Sequence, residues 1–563
     1  MDNAHTEFRF FGPPGCGKTT KLQSSIRATA QARGPDSIVV TSFTKAAAVE
    51  LAGRNLPIDP SRVSTLHALC YRALDKPPIA EVEAAEWNKD VGNAAYKLTV
   101  HAAGKLVEEA PEEAKVTANG DKLLNEYNLA RARREPIEEL GESVQGFVRA
   151  WEAWKQDGGM VDFSDMIGRA VNELDQCPGD PEILYADEAQ DLTFLQMSLL
   201  RKWARHTERL VLAGDDDQAI FTFAGADPEA FLNPPLPPED EEVLSQSYRV
   251  PQQVQKLAEF LIARVSYRKK KIYKPRDAPG TVTHKHTMNW REPVSVLREV
   301  DAQLTAQQHS EYTGPKVMIL ASCAYMLRPI IKQLRREGYP FHNPFQRSRG
   351  EWNPLGARAG VRTSDRLMAF FRDDPAVWGQ AARFWTYDDA AMLVGLLKAK
   401  GIMHTGGKKR LMEKAKEEPY RSADIDWLLA QVFTQEALTA IFDHDTEWLL
   451  QHMLADKKKA SAYPLQVLQS KGADGIVRAP EIVVGTIHSV KGAEAHAVIL
   501  FPDISPNAFI GTQEAGGERA RDRLYRQFYV GITRARDTLI LGGRAKQGRK
   551  RNRGIDFIRG GIG

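Results

Sequence analysis

The sequence predicts an α/β fold built on two blocks of parallel strands, each interrupted by a mostly helical stretch. Three observations carry this. Short apolar runs that read as buried strands alternate with helical patterns in two zones, about 8–213 and 317–541. The first run, 8–11, leads into Gly12-Pro13-Pro14-Gly15-Cys16-Gly17-Lys18-Thr19 and a helical pattern from Thr20 onward, the strand–loop–helix context of a phosphate-binding loop. Two long stretches, about 79–160 and 342–478, lose the strand signal and turn polar and helical.

Composition narrows the class. The 563 residues, 42% hydrophobic and 26% charged, suit a soluble globular chain of about three or four domains. No apolar run approaches the roughly 20 residues of a membrane span, so no membrane is expected. Residues 1–5 carry no basic or apolar leader pattern. The net charge of +3 is too small to argue for nucleic acid by itself. Cys16, Cys70, Cys177 and Cys323 lie far apart with no C-x-x-C pair, which argues against a zinc or iron–sulfur cluster and for a reducing, intracellular, cytoplasmic setting.

In chain order, the glycines of the loop let backbone N–H groups turn toward a polyphosphate, helped by the following helix N-terminus. Lys18 can reach the outer phosphates, and Thr19 can offer a hydroxyl to Mg²⁺. The run 38–40 ends in Thr41-Ser42-Phe43-Thr44-Lys45, and 63–67 repeats the pattern with Thr65 and His67; ligands gather at such strand ends. Arg131-Ala132-Arg133-Arg134 reads as a solvated basic face, with nucleic-acid contact as the sharper alternative. After 183–186 comes Asp187-Glu188, where Asp187 can hold Mg²⁺ through water and Glu188 can deprotonate an attacking water. After 210–213 comes Gly214-Asp215-Asp216-Asp217-Gln218, whose Gln218 can sense a terminal phosphate. Phe221 and Phe223 read as core or as base-stacking rings. The proline-rich 234–238 suggests a stiff spacer and hinge, and the basic stretch 549–553 a mobile tail.

Taken together, the motifs resemble the UvrD/Rep/PcrA-like helicases of superfamily 1A. The phosphate loop looks like motif I and Ser42-Phe43-Thr44-Lys45-Ala46-Ala47 like motif Ia, with Ser64-Thr65-Leu66-His67 as Ib. Asp187-Glu188-Ala189-Gln190-Asp191 is close to motif II, and the 214–218 turn with Gly225-Ala226 to motif III. Gln246-Ser247-Tyr248-Arg249 looks like motif IV, Gly485-Thr486-Ile487-His488-Ser489-Val490-Lys491-Gly492-Ala493-Glu494 like motif V, and Tyr529-Val530-Gly531-Ile532-Thr533-Arg534-Ala535 like motif VI.

The resemblance implies two RecA-like domains with ATP and Mg²⁺ between them and single-stranded DNA across their top. It implies 3′→5′ translocation and unwinding of duplex that carries a 3′ tail. It assigns Arg249 and Arg534 as arginine fingers, Tyr248 as the ring on the adenine, Glu494 as a ribose contact beside Gly492, and Thr20 to the nucleotide loop. Phe43, Thr44, Lys45, Thr65, His67, Phe221, Phe223, Thr486 and His488 fall where the family touches DNA. The partition it suggests is a first RecA-like domain at 1–78 and 161–238 with an insertion at 79–160. A second follows at 239–341 and 479–545, with a reduced insertion at 342–478 and a basic tail at 546–563.

The chain departs from the family pattern at Phe223-Ala224, where Trp and Arg are usual, and at Ser322-Cys323, where an Arg-Thr pair is usual. Competing readings are a translocase that strips proteins from DNA without unwinding, and a helicase-like subunit of a larger DNA-processing or defence complex. Residues 1–6 hold no Gln to read an adenine edge. The expectation is therefore a mild preference for ATP over GTP, within roughly tenfold, unless Gln23 or Gln246 supplies the contact.

Overall fold

The computed structural model describes residues 6–43, 48, 51, 53, 55–100, 119–308, 312–344, 363–514, 516–547 and 550–562. Thr44 and Lys45 lie outside the described residues. The chain divides into two compact units, Met1–Thr287 with Leu320–Tyr325 and Thr486–Gly563, and Met288–Ile319 with Met326–Gly485.

The first unit is built on a six-stranded sheet of β1 (Thr6–Phe11), β2 (Ile38–Ser42), β3 (Val63–Thr65), β4 (Ile183–Asp187), β5 (Arg209–Gly214) and β6 (Glu241–Val243), in the order β3-β2-β4-β5-β1-β6. Every pair is parallel. A parallel sheet is covered on both faces, so its strands read as near-continuous apolar runs rather than alternating ones. On one face helix Lys18–Arg33 buries Leu22 and Ile26 against Phe10, Val40 and Val211. On the other, helices Phe163–Glu173 and Phe194–Ala204 bury Met166, Leu200 and Trp203 against Leu184 and Leu212. Capping boxes start both of these helices, Asp162 with Asp165 and Thr193 with Gln196. Because β4, β5 and β1 are neighbours, the loops leaving their C-terminal ends converge on one edge.

Helices Asn119–Arg133 and Glu142–Asp157 enclose a separate core around Trp87, Phe147 and Trp151, with the Trp87 and Trp151 rings 5.1 Å apart. The same unit holds β7 (Gln246–Pro251) beside β8 (Lys274–Arg276), and β9 (Thr281–Lys285). The second unit carries β10 (Val317–Ala321) beside β11 (Ile482–Thr486), strands whose last residues pass into the first unit. It also holds short helices, among them Tyr387–Val394, Gly407–Glu417, Ile425–Val432 and Gln435–Phe442. Returning to the first unit, β12 (Ala495–Leu500) pairs in parallel with β13 (Ala535–Gly542), and β13 with β9.

Three expectations need correction. The proline-rich 234–238 does not take the chain away from the first sheet, because β6 follows it and pairs with β1. Buried Arg9 ties the segment down, donating to the carbonyls of Leu232 at 2.8 Å and Pro234 at 2.9 Å. The described part of the basic stretch is tied down by its backbone, though Arg551 and Arg553 are exposed: Lys550 and Arg551 pair with Gln547 and Lys546, the Asn552 amide donates to the Ala545 carbonyl at 2.8 Å, and just beyond it Ile555 and Phe557 are buried. Arg131 is no solvated face either. It donates to Asp162 and Asp165 at 2.7 Å each, and Asp162 also accepts from Lys155 at 2.8 Å and Trp151 at 3.0 Å.

Candidate active site

Gly15 and Gly17 take φ of 76° and 80°, the left-handed region that only glycine enters cheaply. A Cβ on Gly12 would lie 2.1 Å from Cys16 Sγ, and one on Gly15 would lie 2.5 Å from Arg249 Cβ. The loop is therefore a cradle that side chains would fill. Gly17 opens helix Lys18–Arg33, whose first-turn N–H groups lack intrahelical acceptors and favour an anion. Lys18 Nζ donates to the Gly12 carbonyl at 2.7 Å. The Pro14 carbonyl accepts from Ser247 Oγ at 2.9 Å, and that of Gly15 from the Tyr248 amide at 2.8 Å. Tyr248 thus sits against the loop with its side chain in the open, 69% exposed.

At the end of β4, Asp187 accepts from Thr19 Oγ1 at 3.3 Å. Burial, with Glu188 beside it, pushes the Asp187 carboxyl up to about 7. Glu188 has φ 54°, unusual for a residue with a side chain. That backbone turns its carboxylate toward Gln190 Nε2 at 2.5 Å and Lys491 Nζ at 3.5 Å. Burial would raise the Glu188 pKa, but Lys491 and Lys18 outweigh it and hold the group below the usual carboxylate range. Glu188 is thus the more acidic member of the pair. Gln190 Oε1 accepts from the Asp215 amide at 2.9 Å, locking the end of β4 to the end of β5.

Beyond β5, Gln218 Nε2 donates to Asp215 at 2.7 Å, and Gln218 Oε1 accepts from Arg534 Nη2 at 3.1 Å. Arg534 is fully buried and also donates to the Val530 carbonyl at 2.9 Å. Burial and nearby Arg249 pull its pKa down to about 9, which leaves a cation at neutral pH. Arg249 and Arg536 both pair with Glu494, and their charges offset its burial and hold its carboxyl low.

Beside this lies an aromatic cluster. The Phe221 ring is 5.3 Å from Phe43, 5.9 Å from Phe223 and 6.2 Å from His488, and Phe223 stands edge-on to His488 at 5.4 Å. Phe221 is buried, whereas Phe223 is half-buried. Lys491 joins the two regions: Nζ pairs with Asp191, donates to the Gln218 carbonyl at 2.9 Å and stands 5.3 Å from the Phe221 ring centre.

The profile of the UvrD/REP helicase N-terminal domain matches residues 5–235, and that of the UvrD-like helicase C-terminal domain matches residues 403–544. The chain belongs to the UvrD/Rep helicase family. It is 25% identical to the ATP-dependent DNA helicase UvrD2 of Mycobacterium tuberculosis, over 97% of this chain and 78% of that protein. It is similar to the ATP-dependent DNA helicase PcrA of Bacillus subtilis, 25% identical over 46% of this chain and 37% of that one. The ATP-dependent DNA helicase Rep of Buchnera aphidicola is 26% identical, over 42% of this chain and 40% of that one. The α/β fold with parallel sheets agrees with the two RecA-like domains of this UvrD-like architecture.

Within this UvrD/Rep-like frame, the loop 12–19 and Thr20, Asp187, Glu188, Gln218, Arg249, Arg534, Tyr248, Gly492 and Glu494 all fall in the first unit. Thr65 spends its hydroxyl as a helix N-cap, accepting from the Ala68 amide at 3.2 Å. His67 meets Phe163 edge-on at 6.2 Å, and burial lowers its pKa to about 4, which keeps it neutral. Thr486 Oγ1 accepts from the Ser489 amide at 3.3 Å. Gln246 commits both amide hydrogens to the carbonyls of Ser247 and Pro275, and Gln23 is buried. Sequence reasoning assigned no role to Lys491, Gln190 or Asp191, although all three stand inside the quoted motifs. A cation two residues before Glu494's neighbour Ala493 was the available signal for the first.

Proposed function

We propose that the protein hydrolyses Mg-ATP to move 3′→5′ along single-stranded DNA and to separate duplex carrying a 3′ tail. The observation that carries this reading is the bond from Arg534 to Gln218, in the same unit as the phosphate loop and Glu188. The glycine cradle and the helix N-terminus behind it suit a polyphosphate, and Lys18 can exchange the Gly12 carbonyl for an outer phosphate. The adjoining Thr19 hydroxyl and Asp187 carboxylate form a hard oxygen pair that would hold Mg²⁺. Bound there, Mg²⁺ would supply positive charge to offset that of the polyphosphate. Glu188, kept ionised by Lys491 and Lys18, takes a proton from the attacking water. Arg534, with Arg249 once it leaves Glu494, offsets charge that builds on the transferring phosphoryl group, a role worth about 10³–10⁵ in rate.

Lys491 supports coupling of the two activities. Its contacts reach Asp191, Gln218 and the Phe221 ring, so a change among the rings alters what holds the hydrolysis residues. The test is ATP turnover with and without single-stranded DNA, then unwinding of duplexes with 3′ or 5′ tails. DNA-stimulated turnover and a 3′-tail requirement are expected. A preference for 5′ tails would overturn the polarity, and turnover indifferent to DNA would overturn the coupling.

A further inference from the structure

Three consecutive aspartates, Asp215, Asp216 and Asp217, are all buried in the turn after β5. Adjacent carboxylates removed from water repel one another and each loses solvation. One cation answers all three. Lys271, with its side chain 1% exposed, places Nζ 3.0 Å from Asp215 and 3.0 Å from Asp217, and pairs with Asp216 as well. Neighbouring groups secure the turn further. Arg268 grips Asp217 with two donors at 2.7 and 2.5 Å, and the Lys269 amide donates to Asp216 at 2.9 Å. From the helix Glu518–Ile532, Arg526 donates to the Asp216 carbonyl at 2.9 Å.

This turn carries Gln218. Asp215 has two oxygens with two different duties: Oδ1 faces Lys271 and Oδ2 accepts the Gln218 amide at 2.7 Å. With its Nε2 held there, Gln218 presents Oε1 to Arg534. The order of partners is therefore Lys271, Asp215, Gln218, Arg534.

We propose that Lys271 is a positioning residue for nucleotide hydrolysis, acting through Asp215 to fix the amide of Gln218 against Arg534. The proposal rests on the reading of Gln218 as the terminal-phosphate sensor. Without Lys271, Asp215 faces two like charges and no shared cation. Rotation or protonation of Asp215 relieves that repulsion, and either removes the fixed acceptor for Gln218 Nε2. The amide can then flip and turn its NH₂ toward Arg534, breaking the contact.

The experiment uses the full chain and ATP turnover at saturating single-stranded DNA, with Lys271→Met, Gln218→Ala and the double variant. Lys271→Met is expected to lower kcat by about 10- to 100-fold while KM for ATP stays within about threefold. Gln218→Ala should lose a similar factor. The double variant should fall no more than about threefold below Gln218→Ala, because both changes break one chain of contacts. Losses that multiply in the double variant, or a Lys271→Met protein that melts lower yet keeps its kcat, would overturn the proposal. Wild-type kcat in Gln218→Ala would instead refute the sensor reading itself. If Lys271→Met gives no cooperative melt, the comparison is made with Lys271→Met/Asp216→Asn. That change removes one uncompensated carboxylate and leaves Asp215 in place, and the same outcomes decide.

Discussion

Phe221 and Phe223 enter the sequence as equivalent rings, but their surroundings give them different roles. Phe221 is 8% exposed and sits among Phe43, Phe223 and His488, with Lys491 near its face. Truncating such a ring to Ala costs about 3–5 kcal/mol of stability. Phe223 is half-buried, so Phe223→Ala leaves a smaller cavity and costs less. If the open part of that ring stacks on a base, its loss weakens binding by about 1–3 kcal/mol. That corresponds to about 5- to 150-fold in Kd. Fluorescence anisotropy with a labelled oligothymidylate at one fixed salt concentration reads the affinity, and thermal melting reads the stability. Phe223→Ala should lose affinity with a small change in Tm, and Phe221→Ala should lose Tm foremost. The reasoning fails if Phe223→Ala keeps Kd within twofold while its Tm drops as far as that of Phe221→Ala.

Other predictions follow from the same contacts. Glu188→Gln should retain a fluorescent ATP analogue but lose about 10²- to 10⁴-fold in kcat, since the amide cannot accept the proton; near-normal turnover would move the base elsewhere. Arg131→Met should lower Tm, with about 3–5 kcal/mol lost on leaving Asp162 and Asp165 without it, while DNA affinity holds. A loss of affinity at unchanged Tm would restore the nucleic-acid reading of that cluster. Glu81 gives a pH signature: burial, then Asp162 nearby, pushes its carboxyl up to about 8. Its unfolded value is about 4.3, so between the two the folded chain holds a proton that the unfolded chain has lost. Stability from this group is complete below about pH 4 and falls as pH rises toward 8, by up to about 1.4 kcal/mol per unit. Melting across pH 5 to 9 should show Glu81→Gln gaining on the wild type as pH rises, and a constant gap would contradict the assignment.

Much of the site was legible because its residues stand where strands end. Lys18, Asp187 and Gln218 each follow an apolar run, and a parallel sheet brings such ends to one edge. What held those residues in place was not legible. The Gln218–Arg534 bond spans 316 positions and the Lys491–Asp191 pair spans 300, and no local pattern encodes a partner at that distance. Nothing local singles out Lys271 within Arg268-Lys269-Lys270-Lys271, a run of cations that by default suits a solvated face, yet its side chain is 1% exposed. Arg131 misled in the same way. The proline-rich 234–238 reads as a spacer because its rigidity is local, whereas its tether, Arg9, lies more than two hundred positions earlier.

The left-handed backbone of Glu188 has a consequence for how this protein tolerates change. A side chain at φ 54° costs on the order of 1 kcal/mol relative to glycine. Glycine at that position would relax the turn, but it would also remove the acceptor of Gln190 Nε2 and the partner of Lys491 and leave no group to take the proton. A search for thermostable variants by melting temperature alone therefore weighs only the turn and its contacts at this residue, and places no value on its proton-accepting role. Screening has to keep turnover in the selection, because melting temperature does not read the group that takes the proton.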